Sequence, residues 1–88
     1  MGRFEFAGAD FAEIAGSANA EGLYELGLMY ATGRNGFSDL VSAHKWFNIA
    51  AFRGHDEAKR RRTEVALEMS REEIAAAQRA ARDWITSH

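Results

Sequence analysis

The stretch Leu26-Gly27-Leu28-Met29-Tyr30-Ala31-Thr32-Gly33-Arg34-Asn35-Gly36 decides how this chain is read. Its first half has the character of an apolar helix, yet Gly27 sits inside it and Gly33 and Gly36 follow at once. A mid-helix glycine costs up to about 1 kcal/mol against alanine, so it needs a reason. A phosphate-cradling loop would need a preceding strand and a Gly-Lys-Ser/Thr ending, and neither is present. Packing is the favoured reading. Leu23, Leu26, Gly27 and Tyr30 recur at i, i+3, i+4 and i+7, one continuous helical face on which the glycine lets a second backbone approach.

Working outward, Asn19 is an N-cap for this helix and Glu21 places a carboxylate in its first turn, where the dipole favours it. The helix should stop near Thr32, with Gly33 supplying a left-handed C-cap. Ser38 or Asp39 caps the next helix. There Ala43, Trp46, Phe47, Ala50 and Ala51 form the strongest amphipathic pattern in the chain, and Gly54 ends it. The small residues Ala43, Ala50 and Ala51 are expected to face Gly27, with Tyr30, Trp46 and Phe47 filling the wider gaps. Asp56 and Glu57 open a further helix in which Ala58, Val65 and Met69 share a side. Ser70 and Glu73 have the spacing of a capping box for a last helix with Ile74, Ala77, Ala81 and Trp84 on one face. A short helix over 10–15, with Phe11 and Ile14 on one side and its end at Gly16, would precede them all. Four or five helices joined by short connections should run antiparallel to their neighbours.

Composition agrees. Eighty-eight residues make one domain, residues 1–88, rich in alanine, with no proline and no cysteine. Disulfides and thiolate chemistry are thereby excluded. The formal charge of -2 argues against a basic nucleic-acid footprint over the whole domain. No apolar run approaches the roughly 18 residues of a membrane span, and the start lacks the apolar core of a signal peptide. A cytoplasmic location is the expectation. The pattern Gly16-x-x-x-Ala20 returns as Gly54-x-x-x-Ala58, a spacing in the range of helical-hairpin solenoids, and the likeness fades after Ala58.

The span 20–58 resembles the Sel-like repeat, a relative of the tetratricopeptide repeat. The residues that carry the resemblance are Ala20, Leu26, Gly27, Tyr30, Gly33, Gly36, Asp39, Ala43, Trp46, Phe47, Ala50, Ala51, Gly54 and Ala58. The loop departs from the family pattern: Gly33 and Gly36 are three apart and Phe37 follows, although the distance from Tyr30 to Asp39 is kept. The tail from Met69 to Trp84, with Met69-Ser70, Ile74, Ala77, Ala81 and Trp84, looks like the closing segment of short bacterial members, so that 59–88 would form C-terminal capping helices. The resemblance implies an all-α fold of antiparallel helical hairpins stacked as a short right-handed α-α superhelix. It also implies a protein–protein interaction or adaptor scaffold whose concave groove is lined by the first helix of each hairpin. Groove residues on that helix would be those turned off the hairpin core: Glu21, Tyr24, Glu25 and Leu28.

Other chemistry reads as structural. Lys59-Arg60-Arg61-Arg62 invites a nucleic-acid reading, but four consecutive residues point around most of a helix. Glu57 stands four before Arg61, and Glu64 four after Arg60, ready to pair. At least one of the long stems should pack along the core edge. His44, His55 and His88 lack the spacing of a metal site and are expected at the surface. The carboxylates Glu21, Glu25, Asp39, Asp56, Glu57, Glu72 and Glu73 mostly suit helix first turns, and no nucleophile–base–acid set stands out. Neither an enzyme nor a cofactor is expected. Phe4, Phe6 and Phe11 would clip onto the first hairpin or serve a dimer contact, and the last helix would cap its own chain in preference to swapping. The partner is expected to be another protein. A structural homodimer and a nucleic-acid adaptor using 59–62 are the alternatives.

Overall fold

The computed structural model describes residues 19–34, 36 and 38–87. The expected helix over 10–15, the aromatics Phe4, Phe6 and Phe11, and His88 lie outside these residues. Among the described residues there are four α-helices and no strand: α1 (Ala20–Thr32), α2 (Leu40–Phe52), α3 (Asp56–Ala66) and α4 (Arg71–Ser87).

Local chemistry sets their limits. The Asn19 side chain accepts from Gly22 N at 2.9 Å and starts α1. Gly33, at φ 74°, ends it, and the N–H groups of Gly33 and Arg34 both return to the Met29 carbonyl. Of the two candidate caps for α2, Asp39 takes the role. Its Oδ1 accepts from Ser42 N at 3.1 Å and its Oδ2 from the Ser42 hydroxyl at 2.8 Å. At the far end Gly54 N bonds to Ala51 O and His55 N to Ala50 O, the paired bonds of a Schellman ending. Gly54 has φ 97°, which a side chain would strain. The capping box before α4 is formed in both directions. Glu73 N donates to Ser70 Oγ at 3.1 Å. Ser70 N donates to Glu73 Oε1 at 2.8 Å.

Two contacts make α1 and α2 antiparallel. The Asp39 N–H, at the start of α2, donates to the Tyr30 carbonyl near the end of α1 at 2.9 Å. At the other end Glu21 meets His55, just beyond α2. Helix α2 is the hub, because α1, α3 and α4 each pack chiefly on it and much less on one another. The closing helix α4 therefore lies on α2 and does not form a close pair with α3.

The hub position explains the core. Ala43, Trp46, Phe47, Ala50 and Ala51 are buried as the amphipathic pattern predicts. Ile49 and His44 are buried too, though they lie off that stripe, because α2 is covered from three sides. Trp46 meets Trp84 of α4 edge-on, with ring centroids 5.6 Å apart. That is a favoured aromatic geometry; Ala81 belongs to the same buried cluster, and Ala77 of α4 is buried too. Helix α3 contributes Ala58 as its buried residue and stops at Ala66, so Met69, expected on its apolar side, falls beyond its end.

Gly27 departs from expectation. The atoms nearest to where its side chain would project belong to the Phe47 ring, not to Ala43, Ala50 or Ala51. The close approach is glycine against an aromatic face. It lets Phe47 be wholly buried. Burial of such a side chain is worth about 1.5–3 kcal/mol of apolar transfer.

Candidate functional site

The four residues expected to line a partner groove on α1 do not form one surface. Tyr24 is a core residue: only 9% exposed, it packs 5.7 Å from the Phe47 ring and stacks on His55 at 4.2 Å. The expectation that it faces away from the hairpin is thus corrected, because Phe47 of α2 and His55 of the turn after it pack on its ring. Leu28 is half-buried against the core cluster. Glu21 and Glu25 are exposed, and each has a partner: Glu21 binds His55, and Glu25 lies 3.8 Å from Arg34.

His55 is also more than a surface residue. Its Nδ1 accepts from Ala58 N at 3.1 Å and caps α3, a role that nothing in the residue pattern announces. Accepting at Nδ1 leaves the proton on Nε2. Nε2 donates to Glu21 Oε1 at 2.8 Å. Both ring nitrogens are engaged, so the Glu21–His55 pair ties α1 to the α2–α3 turn and offers no free base. The Tyr24 hydroxyl, and after it Glu64 and Glu57, hold the Arg61 guanidinium more firmly charged.

His44 differs from expectation in the other direction. It is 3% exposed, and its Nδ1 has no hydrogen-bond partner among the described residues. Burial pushes its pKa down, and the nearby Arg62 charge adds to the effect. Burial likewise lowers Lys45, whose Nζ rests 4.3 Å over the Trp46 ring. Burial raises the Tyr30 phenol, and Asp39 adds to that shift. Among the described residues no group of three or more histidines and carboxylates is placed to hold a metal ion.

The basic run is spent locally. Lys59 lies 3.7 Å from Asp56, Arg60 bonds to Glu57, and Arg61 lies 3.5 Å from both Glu57 and Glu64. Glu64 thus pairs with Arg61 and not with the expected Arg60. Arg62 turns inward, half-buried, and donates from Nη1 to Asn48 Oδ1 of α2 at 2.6 Å.

A concavity lies between α2 and α4. It is an open groove of about 500 Å³. Asn48 and Phe52 line it from α2; Gln78, Ala81, Arg82, Ile85 and Thr86 line it from α4. Phe52 is 69% exposed at its edge. The sequence held one sign of this site: Phe52 and Ile85 are large apolar residues next in line to Ala51 and Trp84, just off the buried stripes. Nothing in the sequence alone shows that those two flanks meet.

No family model, curated protein or solved structure matches the chain. Among the described residues no helix is long and apolar enough to cross a membrane.

Proposed function

We propose that this chain is a non-catalytic protein–protein interaction or adaptor module that binds a peptide or helix of a partner protein. We read α1 and α2 as one Sel-like, tetratricopeptide-like hairpin and α3 and α4 as C-terminal capping helices packed on α2, in a short right-handed solenoid of cytoplasmic type. The buried positions of Leu26, Ala43, Trp46, Phe47, Ala50 and Ala58 support that reading, as do the capped turns at Gly33 and Gly54. The observation that carries the function is the α2–α4 groove with an aromatic side chain open at its edge. Exposed apolar surface in a concavity suits a docked side chain. This moves the binding surface from the α1 residues Glu21, Tyr24, Glu25 and Leu28 to α2 and α4.

The test compares partners captured from lysate by the wild type, a Phe52→Ser variant and a Glu25→Lys, Leu28→Glu variant, each with an intact helical spectrum. A partner lost only with Phe52→Ser supports the groove. One lost only with the α1 variant returns the site to the face that the resemblance implies. Self-association is the second reading, because the exposed Phe52 and Leu67 would also suit a second copy; a mass that rises with concentration would favour it. The nucleic-acid reading is weaker, because the 59–62 run is already paired within the protein.

A further inference from the structure

We infer that the α2–α4 groove takes an acidic peptide segment in which carboxylates flank an aliphatic or aromatic anchor. The inference rests on the interaction-module reading and adds the chemistry of the partner.

The groove offers donors and positive charge. Arginine donates only, so the bond from Arg62 Nη1 fixes which end of the Asn48 amide is oxygen. That oxygen is occupied, and what Asn48 turns toward a ligand is its NH2 group, with the Arg62 charge behind it. The Thr86 hydroxyl is spent on the Asp83 carbonyl at 3.0 Å. Arg82 is exposed on the α4 wall, and among the described residues it has no carboxylate within ion-pair distance. Among the described residues no carboxylate lines the groove. The contrast with α3 is informative: Lys59, Arg60 and Arg61 there pair with carboxylates of their own helix, while Arg82 beside an apolar groove has no carboxylate partner among the described residues.

The apolar half of the groove, Phe52, Ala81 and Ile85, selects against a ligand that is charged throughout. The groove's size falls among those of roughly 300–1,000 Å³ that seat small ligands, enough for a short run of side chains. An apolar anchor against Phe52 and Ile85, with a carboxylate reaching Arg82 and the Asn48 amide, satisfies both halves. Arginine's planar fork suits a carboxylate by paired hydrogen bonds.

The experiment is selection of short random displayed peptides on the full chain. The enriched sequences are then measured against wild type, Phe52→Ser and Arg82→Glu; both positions are exposed, and circular dichroism checks each fold. Enriched peptides should carry Asp or Glu beside Leu, Ile or Phe. Each variant should weaken them by about tenfold or more, with binding falling as salt rises. Neutral or basic peptides that lose binding to Phe52→Ser would overturn the acidic preference and leave the groove reading standing. Peptides that bind both variants as well as wild type, or no enrichment at all, would overturn both. Displacement of the enriched peptides by a single-stranded oligonucleotide that binds more tightly would overturn the peptide assignment in favour of nucleic acid.

Discussion

The Phe47 ring occupies the space into which a side chain at Gly27 would project. Gly27→Ala gains up to about 1 kcal/mol in helix propensity. It also drives a methyl group into a ring with no exposed surface to move toward. Overpacking of this kind costs about 1–3 kcal/mol, so the variant should be less stable than wild type. Urea unfolding checks the sign. Adding Phe47→Ala, which removes the whole obstructing ring, should make the two effects non-additive, whereas independent losses would deny the contact.

From the α2–α3 turn, His55 reaches two helices, α1 and α3, through two ring nitrogens and one ring face. His55→Ala should cost about 1–2 kcal/mol, mainly through the lost cap on α3. His55→Asn restores a cap acceptor and should recover part of that loss, but not the stacking on Tyr24. The Glu21 side chain is 64% exposed, so water already screens its pair with His55. Glu21→Gln should therefore cost less than about 1 kcal/mol. Equal losses for His55→Ala and His55→Asn in thermal melts would show that the cap matters little.

His44 should make stability depend on pH. Burial and Arg62 hold its folded pKa below the ordinary histidine value. The unfolded chain therefore takes up a proton that the folded chain resists, and the unfolded state binds more protons as the medium turns acid. The contribution is fully present above about pH 6.5 and is lost as pH falls through the folded value. The urea midpoint should decline from neutral to mildly acid conditions, and His44→Leu should decline less. Parallel curves for the two proteins would remove His44 as the cause.

The reciprocal bonds of Ser70 and Glu73 predict coupling. Ser70→Ala should cost about 1 kcal/mol, in the range of lost N-caps, and hydrogen exchange should quicken in the first turn of α4. Glu73→Ala should weaken the same turn. The double variant should lose less than the two single losses together, because either change already opens the box. Strict additivity would contradict it.

Helix limits were legible in the sequence because they are local events. Asn19, Asp39, Gly33, Gly54 and the Ser70–Glu73 pair act within a turn or two of chain, and the structure puts each to the use expected of its residue type. The stripe from Ala43 to Ala51 was legible for the same reason, since one apolar face needs only the period of a helix. What the tertiary structure alone decided is what faces that helix. Periodicity says that a stripe is buried but not how many neighbours bury it. Three helices gather on α2, and that arrangement buries His44 and Ile49, draws Tyr24 inward onto His55 and seats Phe47 against Gly27. The groove between α2 and α4 arises in the same way, from two flanks far apart in the chain whose meeting depends on how whole helices pack.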